Sequence, residues 1–167
     1  LDLSRYVPLG IDARSEWQGY IAGLAVAVVY SMIYLLRYFN ARENLYEWTL
    51  KGKVLMEGAV MPDFAELMDG TLLVFVAIAL TMIGLAVYHY IYHRIDTKSF
   101  YVMRRLPSRW ELHLRCLTLP AAGLLICGAA TLIMILIYYW IYMGCTPDEC
   151  LMPGQWAGFW RELCWKL

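Results

Sequence analysis

Three long runs without Asp, Glu, Lys or Arg, at residues 17–36, 71–92 and 116–143, constrain this sequence most strongly. Each run has about 20 residues or more, which as an α-helix is long enough to cross the hydrocarbon core of a bilayer. One such run fits a buried helix of a soluble protein, but three runs in a chain that is 61% hydrophobic favour a membrane protein. We therefore predict an all-α integral membrane protein with three transmembrane helices, forming a single membrane domain over residues 1–167.

The segments outside these runs carry amphipathic patterns. Residues 37–70 mix charged and apolar side chains and are divided by Pro62-Asp63, which predicts short amphipathic helices on the membrane surface or against neighbouring chains. The C-terminal segment, residues 144–167, predicts another amphipathic helix, either an interfacial anchor or a docking helix for another subunit. Its apolar residues recur at helical spacing: Trp156, Phe159, Trp160, Leu163 and Cys164.

The loop at residues 93–115 sets the predicted orientation, because it carries six Lys or Arg against Asp96 and Glu111. Lys and Arg concentrate in cytoplasmic loops. We therefore predict a multi-pass protein of the plasma membrane with the N-terminus and this loop in the cytoplasm, and with loop 37–70 and the C-terminus outside. The formal net charge of +0 provides no basic field for nucleic acid, so no nucleic-acid partner is predicted.

Two cysteines on the predicted outer side flank a short polar turn. Cys145 and Cys150 enclose Thr-Pro-Asp-Glu, which would allow their Cα atoms to approach within disulfide range. An exported location permits a disulfide. A disulfide and two unpaired thiols are both compatible with the sequence.

Within the basic loop, residues 97–115 predict a short helix, a break and a second helix. Pro107 favours an extended conformation at Leu106. Ser108 is a favourable N-cap with Glu111 three residues later, so a new helix is expected to begin there and to continue into the third apolar run. From the residues alone, a basic loop attracted to anionic lipid explains the pattern equally well.

The run Lys98–Leu112, with its Arg-Arg-Leu-Pro core, and the preceding Tyr88–His93 resemble small membrane proteins of clostridial-type Firmicutes. Those proteins are similar to the permease components of type-2 ABC exporters, and the resemblance covers roughly residues 55–155. It implies a cytoplasmic coupling helix that docks on an ABC ATPase. Full permeases of this type have more spans than the three predicted here, so assembly with further membrane subunits, as a homo- or hetero-oligomer, is expected.

The resemblance also implies a function and a docking surface. The function is a non-enzymatic transmembrane subunit of an ABC-type export system, coupled to an ATPase in trans through loop 97–115. The chain has no phosphate loop of the form G-x-x-x-x-G-K-[ST], so ATP and Mg²⁺ are expected on the partner and no cofactor is expected here. Membrane lipid is the other expected partner. The implied docking residues are Phe100, Tyr101, Met103, Arg104, Arg105, Leu106, Pro107, Arg109, Trp110 and Glu111.

Two other functions stay open: a membrane scaffold or sensor that binds partner subunits without transport, and an oligomeric channel. The channel ranks lower because no apolar run shows a polar stripe. No serine lies in a G-x-S-x-G setting and no Asp or Glu lies inside the three runs, so we predict neither an enzyme nor a proton relay.

The histidines leave three interpretations open. His89 and His93 lie at i and i+4, a spacing that suits zinc, and His113 is expected at the same membrane face. The His-Glu-x-x-His motif is absent, so we predict no metal site and keep this pair only as a weak metal candidate. Hydrogen bonding at the interface and pH sensing are the two other interpretations.

Overall fold

The computed structural model describes residues 13–49, 52–56, 58–95 and 109–166, and these are mostly helical. The all-α prediction therefore fits, apart from one small hairpin. In chain order the elements are α1 (Ala13–Ser31), α2 (Ile33–Glu43), β1 (Tyr46–Thr49), β2 (Gly52–Leu55), α3 (Phe64–Met68), α4 (Leu73–Ile95), α5 (Arg109–Cys145), a 3-10 turn (Asp148–Cys150) and α6 (Gln155–Lys166).

Three helical stretches are long and apolar enough to cross a membrane, as predicted: Arg14–Glu43, Leu73–Ile91 and Leu117–Cys145. The first is longer than the apolar run because a charged residue does not end a helix. Only Met32 separates α1 from α2. Its N–H donates to Val29 O at 3.1 Å, in the tighter pattern of a 3-10 turn, and the helix then resumes.

Helix α5 is described from Arg109 onward and runs unbroken into the third apolar stretch, whereas Ser108, the predicted N-cap, lies outside the described residues. Pro120 lies well inside α5, because the helix starts before the apolar run does. A proline there interrupts one i→i−4 hydrogen bond.

The expectation of amphipathic helices throughout residues 37–70 is wrong in part, because β1 and β2 pair as two antiparallel strands. Tyr46 pairs with Leu55, and Thr49 pairs with Gly52. Aromatic and β-branched residues favour strands. Gly52 has φ of +120°, a value that side-chain-bearing residues rarely adopt, so glycine permits the chain reversal.

The chain divides into two units, each described here by itself. Unit 1 comprises Leu1–Ala27 and Val74–Thr131. In its described part, Tyr20 of α1 donates a hydrogen bond from its hydroxyl to Gly123 O of α5 at 2.7 Å. A Cβ atom at Gly123 would lie 3.0 Å from Met82 Sδ. The missing side chain therefore permits α4 and α5 to approach closely.

Unit 2 comprises Val28–Leu73 and Leu132–Leu167 and has an aromatic core. Tyr34 stacks on Tyr138 with ring centroids 4.6 Å apart. Phe64 of α3 makes edge contacts with Tyr34 and Tyr142. Because Tyr34, Phe64 and Tyr142 are each fully buried, this cluster joins α2, α3 and α5 into one core.

Candidate functional site

The predicted ATPase docking surface cannot be placed from the structure. Residues 100–108 lie outside the described residues, and this range includes seven of the ten implied docking residues. Arg109, Trp110 and Glu111 form the first turn of α5, but their side chains also lie outside what the structure describes. The docking surface therefore stays a prediction.

Unit 1 contains a buried polar pair that the sequence analysis did not anticipate. His89 Nε2, near the C-terminal end of α4, lies 3.0 Å from Glu16 Oε1, near the start of α1. The His89 side chain is fully buried and that of Glu16 is 19% exposed. Of the three interpretations of His89, hydrogen bonding thus has a defined partner, which lies 73 positions away in the sequence.

The second polar atom of each side chain has no hydrogen-bond partner among the described residues: His89 Nδ1 and Glu16 Oε2 are both buried. A buried polar atom without a partner is costly, so the site favours water or another polar group beside this pair. Chemically, an imidazole and a carboxylate in contact can share and exchange a proton.

No group of three metal-ligating side chains occurs within residues 13–49, 52–56, 58–95 and 109–166, as far as their side chains are described. The side chains of His93 and His113 lie outside that description. The zinc interpretation of His89 and His93 is therefore not tested, and the Nε2 atom of His89 lies within hydrogen-bond distance of Glu16.

Unit 2 contains a second group of hydrogen-bonded polar residues, which fixes the turn of the chain (the corner) that precedes α3. Gln155, at the start of α6, is 8% exposed. Its Oε1 accepts a hydrogen bond from the backbone N–H of Phe64 at 3.0 Å, and its Nε2 donates to Asp63 Oδ1 at 3.0 Å. The amide of Gln155 thus satisfies a free N–H of α3, which Asp63 at the N-cap position does not satisfy. We call Asp63, Phe64 and Gln155 the corner clamp.

Helix α5 and the 3-10 turn each form one further hydrogen bond with the same corner. The hydroxyl of Tyr142 donates to Pro62 O at 2.9 Å. The backbone N–H of Met61 donates to Cys150 O at 3.1 Å. Residues 61–64, which contain the predicted break at Pro62-Asp63, are therefore the junction at which three elements of unit 2 meet.

The C-terminal amphipathic helix is confirmed as α6, but its apolar face packs on its own chain. Phe159 is buried and contacts Phe64 with ring centroids 5.1 Å apart. Trp156 contacts Tyr139 of α5 at 4.6 Å. The expected roles of anchor and subunit-docking helix both omitted this intramolecular contact, because the sequence does not show which surface an apolar helix face covers.

Hydroxyl groups also pair within unit 2. Ser31 Oγ lies 2.8 Å from the Tyr138 hydroxyl and also donates to Val28 O at 2.7 Å. The hydroxyls of Tyr38 and Thr146 lie 3.1 Å apart. These bonds satisfy polar groups inside an aromatic core, and they fix the register of α1 and α2 against α5.

The cysteines at the end of α5 are unpaired in the structure. Cys145 is a free, exposed thiol and Cys150 is a free, buried thiol. Of the two alternatives that the sequence left open, the structure contains the unpaired one. Cys127 is also buried, which agrees with a packing role inside the third apolar run.

A cavity lies beside the corner clamp, between α3 and α6, with a volume of about 150 Å³. Its polar lining includes Asp63, Gln155 and Arg161, and Met152 and Phe159 contribute apolar surface. Asp63 and Arg161 are both exposed, so the mouth of the cavity is open to small molecules.

The fold thus defines a mostly helical protein with three helices of membrane-spanning length and composition. Comparison with known proteins gives no significant match to a family model, a curated protein or a solved structure. The fold and the charge distribution of the chain are therefore the basis for a functional proposal.

Proposed function

We propose that this chain is a non-enzymatic transmembrane subunit of an ABC-type export system. The proposal that the chain lies in a membrane rests on one observation: its apolar helices are mostly not buried inside the chain. Only 22%, 17% and 22% of the most apolar windows of the three candidate spans are buried inside the chain. A soluble protein does not leave such large apolar faces in water. Lipid tails, or the helices of further subunits, are the covering that fits.

The orientation follows from charge. Loop 93–115 concentrates six cations, which supports a cytoplasmic position for this loop and for the N-terminus. The C-terminus would then lie outside a plasma membrane. This orientation gives a cytoplasmic ATPase access to the basic loop.

The geometry of α5 supports a coupling role for that loop. Arg109, Trp110 and Glu111 belong to the predicted docking surface and also to the first turn of a helix that continues to Cys145. The end of the loop and the third candidate span belong to one continuous helix, in which Pro120 removes one backbone hydrogen bond. Movement of the loop by an ATPase would therefore displace the third candidate span, with Pro120 as the point at which the helix can bend. ATP and Mg²⁺ would be bound by the partner.

An apolar face of α5 supports assembly with further membrane subunits. Leu136, Ile137, Trp140 and Met143 lie along one side of the helix and are exposed, with Trp140 exposed by 77%. Three spans are few for enclosing a transport path, so additional copies or a larger membrane partner would complete it.

The test is replacement of Arg104, Arg105 and Arg109 by Glu in the full-length chain. We expect this triple variant to lose co-purification of the ATPase, because it reverses the charge of the docking loop. The matched control replaces Lys51, Lys53 and Lys166 by Glu, the same change of charge on the predicted outer side, and should retain the ATPase. Unchanged co-purification in the first variant would refute the docking proposal.

A membrane scaffold or sensor is the second candidate, and the same exposed face of α5 favours it, because partner binding alone explains an uncovered apolar helix. The two functions differ in their dependence on nucleotide. A transport subunit should bind its ATPase with an affinity that changes on addition of ATP and Mg²⁺. A scaffold should hold its partners equally well with and without nucleotide.

A further inference from the structure

The cavity between α3 and α6 contains two opposite charges that do not neutralise each other. Asp63 and Arg161 both line it, and they do not form an ion pair with one another. The cavity volume of about 150 Å³ is well above the roughly 10–15 Å³ that one water molecule needs. A ligand with a cationic end and an anionic end would therefore match both charges.

The carboxylate of Asp63 is held in place for such a role. Its Oδ1 accepts a hydrogen bond from Gln155 Nε2, and Gln155 is itself buried and bonded to the backbone of Phe64. The second oxygen of the carboxylate is free of that bond and can accept a hydrogen bond from a cationic donor. Arg161 offers a guanidinium, which suits the oxygens of a phosphate group.

We propose that this cavity binds a phosphoethanolamine group, with its primary ammonium at Asp63 and its phosphate at Arg161. A primary ammonium donates hydrogen bonds to a carboxylate, whereas a quaternary ammonium has no donor and is recognised by several aromatic rings. Among the residues that the structure describes, the lining contains one aromatic side chain, Phe159. The apolar surface of Met152 and Phe159 suits the methylene groups between the two charges.

The phosphoethanolamine group has two sources, a lipid headgroup or a free small molecule. The lipid source rests on the proposed membrane insertion, and the free source does not. Neither depends on an ATPase, so a failure of this proposal would leave the docking experiment on Arg104, Arg105 and Arg109 unaffected. Conversely, a negative result in the docking experiment would not affect the proposal for this cavity.

The experiment titrates the full-length protein in maltoside detergent with free O-phosphoethanolamine by calorimetry. In parallel, native mass spectrometry counts lipid bound in nanodiscs of phosphatidylglycerol with and without phosphatidylethanolamine. We expect saturable binding in at least one arm. Binding in the free arm identifies a small-molecule site, and binding in the nanodisc arm alone identifies a headgroup site. The affinity for phosphocholine, or for phosphatidylcholine in nanodiscs, should be at least about tenfold weaker.

Asp63→Asn and Arg161→Gln should each weaken binding about tenfold or more. Asparagine at position 63 can still accept the hydrogen bond from Gln155, so the fold should be retained. If that variant does not fold, Arg161→Gln decides alone, because Arg161 is exposed. The controls Glu66→Gln and Lys53→Gln change exposed charges of unit 2 outside the cavity lining and should bind normally.

Absence of saturable binding in both arms overturns the proposal. So does equal binding by wild type and both cavity variants. Binding of inorganic phosphate that equals binding of phosphoethanolamine and is insensitive to Asp63→Asn would also overturn it, because the ammonium would then have no site.

Discussion

Replacement of Gln155 by Leu tests whether the corner clamp stabilises unit 2. Leucine has a similar size but no polar atoms, so it preserves packing and removes both hydrogen bonds of the amide. The variant leaves the N–H of Phe64, a fully buried residue, without an acceptor. It also leaves the exposed carboxylate of Asp63 without its donor. The two lost hydrogen bonds differ in free-energy cost because the N–H of Phe64 is buried, whereas the carboxylate of Asp63 is exposed.

A buried N–H without an acceptor costs about 1–3 kcal/mol. The Asp63 carboxylate can be rehydrated, so we assign its lost bond about 1 kcal/mol, the usual net value of a hydrogen bond. The expected loss is therefore about 3 kcal/mol in the free energy of unfolding of unit 2. For a chain of 167 residues this corresponds to a fall in melting temperature of roughly 6–12 °C.

The assay is thermal unfolding of the full-length protein in detergent micelles, followed by tryptophan fluorescence. Trp156 of α6 contacts Tyr139 of α5 with ring centroids 4.6 Å apart, so its fluorescence reports on the docking of α6. Gln18→Leu, at an exposed position of α1, is the matched control and should change the melting temperature by less than about 2 °C. If the Gln155→Leu variant had the same melting temperature as wild type, the claim that the corner clamp stabilises unit 2 would be refuted.

Two further substitutions test contacts of unit 1. Gly123→Ala should destabilise the protein by about 1 kcal/mol relative to Gly128→Ala, since a Cβ at Gly123 meets Met82 Sδ at 3.0 Å and one at Gly128 meets nothing within 4 Å; equal melting temperatures would contradict the close helix approach. In a double-mutant cycle of Glu16→Gln and His89→Gln, we expect a coupling energy of about 1–2 kcal/mol in thermal unfolding at neutral pH. Strictly additive effects would show that the 3.0 Å contact between these two side chains contributes no stability.

Local patterns in the sequence predicted much of the fold. The three long runs without charged residues predicted the three long helices, because about 20 consecutive apolar residues are typical of a membrane-spanning helix. The pattern at Ser108 and Glu111 predicted a helix that continues into the third apolar run, and α5 is helical from Arg109 to Cys145. The periodicity of the C-terminal segment located α6. Each of these signals depends on residues within a few positions of one another.

Contacts between distant segments could not be predicted in that way. Glu16 and His89 are separated by 73 positions, and Phe64 and Gln155 by 91. In the sequence, His89 stands beside its near neighbour His93, and Glu16 directly precedes the first apolar run. A signal did exist, because a histidine inside a long apolar run requires a polar partner, and Glu16 borders another such run.

The pair of antiparallel strands β1 and β2 shows a different limit of prediction from the sequence. Its strands hold four residues each, too few to display a clear alternation of polar and apolar side chains. Charged residues such as Glu47 and Lys53 made the segment resemble an amphipathic helix. Gly52 was the one local sign of a chain reversal, and its positive φ in the structure explains why a helix does not continue there.

The membrane location itself can be tested at the middle of α5, where two environments predict opposite results. Ile133 is 56% exposed and lies near the centre of the candidate span Leu117–Cys145. In contact with lipid tails, Ile133→Lys should raise the free energy of insertion by about 3–4 kcal/mol, more than a hundredfold in the equilibrium. On a water-exposed helix the same change would lie within about 0.5 kcal/mol of neutral. We expect the full-length variant to lose its carbonate-resistant membrane fraction, whereas Ile133→Leu should retain it. If the lysine variant were as stable as wild type and its partitioning unchanged, the exposed apolar face would not lie in a bilayer.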